Sequence, residues 1–481
     1  MGSLRRKLAS YSEQGMHSFH TPGHKGRSDI LSPLIFPDHD LTELPGLDML
    51  HNPQGVIAEA QRKAAGIYGA GETFFLVNGA TAGNHAMFMT LMNGQKGKKI
   101  RIERKAHRSV IGALILSGLE PEYIASVIHP DFGLPLGLDR EEYCNISEQV
   151  GAFHLTNPSY YGTAIDLDFI IQWRDKIMPA VPVLVDQAHG SHFKGDLFPK
   201  GAVDQGADIV VHSTHKTLAA LTQAAMLHVQ GNRIDKIALQ KSLELLQTSS
   251  PSYLLMESLD NAVSHWNEYC WDDLYEEVML LQKKLAGSLR ILTKKDIGDF
   301  GVKDVDWTKI LVNISTLEIS SSDFVEILRS SFQIEPELWD ENNILFLLGI
   351  GNKPEDVRIL SEALESLVKR FGCLSSQGYG KAVIRKEHEF SWKELSKTKF
   401  LPSVRLTPRE AWLAAKKAIK VKDCLGRIAG ETISIYPPGI PLIAAGEEIT
   451  PCVLHYLEQA GRYRWQGWQG FRQSEILIVD I

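Results

Sequence analysis

The residue of this chain with the most chemical promise is a lysine that follows a short β-branched run. Asp208-Ile209-Val210-Val211 reads as a buried strand, and it leads into His212-Ser213-Thr214-His215-Lys216-Thr217. Small and apolar neighbours surround Lys216, where a permanent ammonium is costly. Desolvation lowers an amine's pKa, and a neutral amine can form a Schiff base with an aldehyde. Taken alone, Ser-x-x-Lys after a strand fits a snorkelling surface lysine as well.

Two upstream segments change that balance. In Pro182-Val183-Leu184-Val185-Asp186-Gln187-Ala188-His189-Gly190 a strand runs straight into a carboxylate, 30 residues before Lys216. Strand ends of a parallel sheet face one crevice, so Asp186 and Lys216 could share a site. A buried Asp opposite a pyridine nitrogen keeps that nitrogen protonated and makes the ring an electron sink. The plainer reading is an Asp that caps the next helix. In Phe75-Leu76-Val77-Asn78-Gly79-Ala80-Thr81-Ala82-Gly83-Asn84 a strand meets a small-residue turn, with a helix expected from about His85. Free amides at a helix N-terminus, with Thr81 as hydroxyl donor, make a phosphate cradle.

Further motifs stand in order along the chain. They are Phe19-His20-Thr21-Pro22-Gly23-His24-Lys25-Gly26, Glu43-Leu44-Pro45-Gly46-Leu47-Asp48-Met49-Leu50-His51 and Arg104-Lys105-Ala106-His107-Arg108-Ser109. Thr156-Asn157-Pro158-Ser159-Tyr160-Tyr161-Gly162, Ser249-Ser250-Pro251-Ser252-Tyr253, Tyr436-Pro437-Pro438-Gly439-Ile440-Pro441 and Gly446-Glu447 follow. Across residues 19 to 447 the chain resembles the pyridoxal-phosphate-dependent ornithine/lysine/arginine decarboxylases.

That resemblance implies an α/β protein of the aspartate-aminotransferase type (fold type I), with a small α/β region and a C-terminal α+β domain. Its cofactor would be pyridoxal 5'-phosphate (PLP), held by Lys216 and paired through its pyridinium with Asp186. His107 would stack on one ring face and Ala188 back the other, with His189 on the phenolic oxygen. Ser213, Thr81 and the Ala80 amide would grip the phosphate, and Ser249 would complete the partner's phosphate site. His215 would contact the substrate carboxylate or reprotonate the α-carbon. The resemblance thus implies four catalytic residues, Lys216, His215, Asp186 and His107. The distal cation of a basic amino acid needs an acid; Glu431 is the candidate, with Asp48 and Glu447 in reserve and a surface glutamate as the plain alternative.

The chain departs from the family pattern at Gln187, where a glutamate is usual, at Ala80, where threonine is common, and at Met49, where a second acid is frequent. The receiver-like N-terminal domain of larger members is missing, so the expectation is a homodimer or dimer of dimers with a shared active site. Arginine is the first expected substrate, giving agmatine and carbon dioxide for polyamine synthesis; lysine or ornithine are alternatives. Another fold type I reaction (aminotransferase or aldolase) and a non-catalytic relative are the rival classes, since fold does not fix chemistry.

Composition agrees with a globular enzyme. The 481 residues are 44% hydrophobic and 23% charged, enough for two or three domains, and a net charge of −7 argues against nucleic-acid binding. No apolar run reaches membrane-spanning length, and Met1 to Gln14 lacks a signal-peptide core and reads as an amphipathic helix. Cys144, Cys270, Cys373, Cys424 and Cys452 are scattered, which fits a reducing cytoplasm. His189 and His192 with Asp186 hint at a metal, but none is expected.

Periodicity and punctuation give the organisation. An N-terminal arm (1–40) precedes a PLP-binding large domain (41–285), a small domain (286–371), a linker (372–400) and a C-terminal domain (401–481). Strands are expected at 73–77, 99–102, 152–155, 181–186, 209–211, 225–229, 310–314 and 344–348. Helices are expected at 274–292, 354–371 and 408–420.

Overall fold

The computed structural model describes residues 13–27, 29–30, 39–92, 99–146, 150–266, 270–298, 301–372, 401–435, 440–459, 465–470, 472 and 474–480. Nearly all of the expected amphipathic start and of the linker, and the residues Tyr436 to Gly439, lie outside the described residues.

Seven short runs rich in β-branched and aromatic residues build the central sheet. They are β1 (Glu72–Leu76), β2 (Lys99–Glu103), β3 (Glu120–Ile124), β4 (Val150–Thr156), β5 (Val183–Asp186), β6 (Ile209–His212) and β7 (Ala225–Val229). Their spatial order is β1-β7-β6-β5-β4-β2-β3, parallel except for β7. Strands β5, β6 and β7 are buried along their whole length, which is why they read as apolar runs instead of alternating ones.

After a first helix α1 (Val56–Tyr68), helices cover both faces. On one side α2 (Gly79–Thr90) and α3 (Arg108–Ser117) pack Met87, Phe88, Val110 and Leu114 against Ile102, Leu184 and Val211. On the other, α4 (Leu167–Ile177) packs Leu167, Ile170 and Ile171 against Phe153, Val185 and Val210. Each such buried side chain contributes roughly 1.5–3 kcal/mol. Gly83 lets α2 lie directly on the sheet, because a Cβ there would come within 2.5 Å of Val211 and 2.8 Å of Leu76.

Two smaller assemblies follow. Strands β8 (Arg290–Ile291), β9 (Lys309–Asn313), β10 (Leu338–Trp339) and β11 (Asn343–Leu347) form an antiparallel sheet ordered β8-β9-β11-β10, backed by Ser321–Phe332 and Pro354–Phe371. The C-terminal part pairs Lys416–Lys420 with Glu475–Val479 and sets Ile433–Ile435 between Ile440–Ile443 and Trp465–Gln466.

Three expectations about elements need correction, and the arm adds one element. The helix expected from His85 begins at Gly79, so the small-residue turn is its first turn. The helix expected over 274–292 spans Asp272–Leu285, and Arg290–Ile291 is a strand. The helix expected over 408–420 stops at Leu413: Ala and Lys favour helix locally, but pairing with Glu475–Val479 wins at Lys416–Lys420. The arm contributes a strand, His17–Phe19, paired in parallel with Ile334–Pro336.

Candidate active site

The strand-end rule puts the chemistry together. Asp186, the last residue of β5, stands opposite Thr156 on one side and Val211 on the other. Just beyond Val211, a single turn at Thr214–Lys216 carries the lysine. A cavity of about 340 Å³ opens here, lined by Ala80, Thr81, Asn84, His107, Asp186, Ala188, His189, Ser213, His215 and Lys216, with Lys105, Tyr160 and Ile440 among its other walls.

Lys216 Nζ lies 2.8 Å from His189 Nε2. Burial lowers the lysine's pKa, while the Asp186 and Glu337 charges oppose that shift. His189 is held well below the ordinary imidazole value by burial and then by Lys216, so its Nε2 is free to accept from the amine. Its other face meets Tyr160, ring centroids 4.5 Å apart, and the Tyr160 hydroxyl donates to Glu337 Oε1 at 2.6 Å.

Asp186 is 3% exposed and acts as an acceptor only. Its Oδ2 takes the Asn84 side-chain amide at 2.8 Å and its Oδ1 the Ala188 backbone N–H at 3.0 Å. The same Asn84 nitrogen reaches Ser109 Oγ at 3.0 Å. His107 caps α3: the Ser109 backbone N–H donates to its Nδ1 at 3.2 Å, which leaves the proton of the neutral ring on Nε2. Its ring stands open on the cavity wall, yet desolvation still lowers its pKa. His215 Nδ1 faces the Ala224 carbonyl at 3.0 Å, so Nδ1 carries the proton and Nε2 presents a lone pair. Burial pushes this imidazole down to about 4.

At the phosphate end, Asn78 makes no cap bond to α2, and its Oδ1 accepts from Thr248 N at 3.2 Å. The first-turn amides of α2 therefore have no side-chain cap, with Ala80, Thr81 and Ser213 around them. The fit to PLP is specific: a depressed lysine, a fixed carboxylate, an uncapped helix start and two buried atoms without partners, Asn84 Oδ1 and His189 Nδ1.

The acids expected at the distal pocket are placed elsewhere. Glu431 is buried, and its two oxygens accept from Gln469 N and Leu477 N, each at 2.9 Å. It ties C-terminal strands together and does not line the cavity, which corrects the expectation. Asp48 accepts five backbone N–H groups, Met49, Gln54, Gly55, Ile57 and Ala58, and so braces the start of Val56–Tyr68. Glu447 pairs with Arg104 at 2.9 Å and accepts from Ala444 N. Ser249 is exposed on a turn held to Asn78 and His51 through Thr248, outside this chain's own cavity.

Asn84, Ser109 and Tyr160 stand in the motifs above without an expected role, and Glu337 stands in none of them. The arm motif has a definite place: Gly23 N donates to His215 O at 2.7 Å, and its carbonyl receives Gly351 N at 2.9 Å. It thereby clasps the Lys216 turn.

Comparison with known proteins settles the kinship. The model of the Orn/Lys/Arg decarboxylase major domain matches residues 3–297, and that of the family's C-terminal domain matches residues 392–474. The chain belongs to the Orn/Lys/Arg decarboxylase family. It is therefore a PLP-dependent decarboxylase of fold type I. Among relatives, it is 35% identical to Bacillus subtilis YaaO over 99% of this chain and 98% of that one. It is 33% identical to the arginine decarboxylase of Bacillus subtilis, covering 94% of this chain and 91% of the relative. Among solved structures, the constitutive lysine decarboxylase of Escherichia coli superposes at TM-score 0.72 and 20% identity, over 99% of this chain and 81% of that one. No helix among the described residues is long and apolar enough to cross a membrane.

Proposed function

We propose that this decarboxylase acts on arginine, releasing carbon dioxide and agmatine for polyamine synthesis, at the cavity around Lys216. The observation that carries the site is the pairing of a desolvated Lys216 with an Asp186 held by Asn84 and Ala188. Support for arginine comes from relatives called arginine decarboxylase at 31–33% identity over 91–95% of this chain. Lysine and ornithine are the alternatives.

Bound PLP supplies an electron-accepting pyridine ring. Asp186, fixed as an acceptor by two donors, would hold the ring nitrogen in its protonated form. His107 would stack on one face and Ala188 lie on the other. The α2 amides at Ala80 and Thr81, with the Ser213 hydroxyl, would bind the phosphate. Lys216 is the anchoring amine, and its Nζ donates a hydrogen bond to His189 Nε2. His215, with Nδ1 held by Ala224 and Nε2 open, would contact the substrate carboxylate or, after taking up a proton from solvent at Nε2, deliver it to the substrate α-carbon once carbon dioxide has left. Orientation by these groups selects the Cα–carboxylate bond for cleavage.

Among the described residues Asp186 is the single acid lining the cavity, so the carboxylate that meets the guanidinium comes from outside this lining. A homodimer with a shared site, as read from the Ser249 turn, would supply it. Scattered thiols fit a cytoplasmic enzyme. Incubating PLP-loaded protein with carboxyl-labelled arginine, lysine or ornithine tests the reading. Arginine should release labelled carbon dioxide fastest, in step with agmatine. Keto-acid formation without carbon dioxide would refute decarboxylation, and faster release from lysine or ornithine would reassign the substrate.

A further inference from the structure

A sealed charge cluster adjoins His189 without lining the cavity. The side chains of Lys309, Asp306 and His192 are each 0% exposed. Lys309 Nζ donates to Asp306 Oδ2 at 3.1 Å, to Thr308 Oγ1 at 3.4 Å and to the His189 carbonyl at 3.4 Å. Asp306 Oδ1 also accepts from Thr308 N at 3.0 Å and Thr308 Oγ1 at 2.7 Å, while His192 Nε2 lies 3.2 Å from Asp306 Oδ2.

Burying such a pair is a poor way to gain stability, because desolvation offsets the attraction. Its location is what distinguishes it. Lys309 reaches the backbone of the residue whose Nε2 meets the Lys216 amine. Gly162 (φ +91) makes room for this: a Cβ there would stand 2.7 Å from Lys309 Cβ and Cγ. One loop, Asn157 to Gly162, thus brings Tyr160 over His189 and admits Lys309 beneath.

We propose that Lys309, charge-balanced by Asp306, is a positioning residue for the decarboxylation: it fixes the His189 backbone and keeps the His189 imidazole neutral, with Nε2 open to the Lys216 amine. This rests on Lys216 being the cofactor-anchoring amine. A nearby cation disfavours a protonated imidazole, and burial acts in the same direction. The other charged or titratable groups facing His189 are Lys216, His107 and His215, with the Tyr160 ring against its face. Lys216 in turn feels Asp186 and Glu337, which oppose Lys309.

The test follows two pH midpoints in the holoenzyme: the His189 signal in 15N-histidine NMR, assigned with His189→Asn, and the visible band of bound cofactor. Lys309→Met should move the His189 midpoint up, and Asp306→Asn should move it down, each by about one pH unit, a tenfold change in proton concentration. His192 stays beside Asp306 in the first variant and limits the size of its shift. In Lys309→Met/Asp306→Asn the charges cancel, so the midpoints should return while kcat stays several-fold low at unchanged KM, because the carbonyl anchor is lost. A purely structural role would lower Tm in all three and leave both midpoints where they are, which overturns the proposal. Should the single variants fail to fold, the double variant decides. Wild-type kcat there overturns the proposal, and a several-fold fall with KM and cofactor affinity held sustains it. If Lys216→Ala keeps the cofactor band, the site reading itself fails, separately from this one.

Discussion

The Asn84 side-chain nitrogen sits 2.8 Å from Asp186 Oδ2 and 3.0 Å from Ser109 Oγ, so one amide donates both of its hydrogens to the cavity wall. Ser109 in turn bonds His107. The carboxylate expected under the pyridine nitrogen and the imidazole expected over the ring are thereby set by a single residue on α2.

Asn84→Ala should therefore lower kcat more than it raises KM. A hydrogen bond to a charged acceptor contributes about 1.5–3 kcal/mol, which corresponds to roughly tenfold or more in rate if it is felt in the transition state. Asp186→Asn should fall further while retaining cofactor. Steady-state kinetics at saturating PLP reads both. An unchanged kcat in Asn84→Ala would mean that the Ala188 amide alone orients Asp186.

Much of this was legible in the sequence because strand ends carry the chemistry. The run into Asp186 and the run into Ser213–Lys216 announce buried strands and the residues after them, and the sheet brings those ends to one edge. Asn84 escaped because the helix was expected only from about His85, which left this residue in the turn; the structure puts it inside α2, and the close seat of α2 on the sheet, allowed by Gly83, goes with an Asn84 amide that reaches Asp186. Glu431 misled for the opposite reason. A lone acid before a motif reads as a ligand, and nothing in its neighbours announces the distant amides of Gln469 and Leu477 that hold it.

Glu431→Gln distinguishes those roles. The structure predicts a lower Tm, since two charge-assisted bonds at about 1.5–3 kcal/mol each are weakened, and an unaltered KM for the substrate. A tenfold rise in KM with an unchanged Tm would return Glu431 to the substrate pocket.

Stability should depend on pH through buried neutral histidines. Burial pushes His154 and His215 down to about 4 and His228 down to about 3, below the ordinary 6.5. As pH falls from 6.5 toward 4, the unfolded chain takes up protons that the folded chain refuses, so folding free energy declines across that window and is level above it. Each depressed unit corresponds to about 1.4 kcal/mol at full effect. Thermal unfolding of the cofactor-free protein should show Tm dropping by several degrees between pH 6.5 and 4.5. A constant Tm there would mean that these imidazoles are solvated.

Lys216→Ala should remove the visible absorption of bound cofactor and reduce turnover by orders of magnitude, since no other amine among the described residues lining the cavity lies beside His189 Nε2. Retained absorption would place the anchor at Lys105, the cavity's other lysine, which pairs with Glu103 at 2.9 Å.

The most direct measurement is to reduce the PLP-loaded protein with borohydride and locate the phosphopyridoxyl mass by peptide sequencing. The account predicts one label per chain, on Lys216, in the peptide that contains His212 to Thr217. A label on Lys105 or Lys309, or no covalent label in a protein that still decarboxylates, would contradict it.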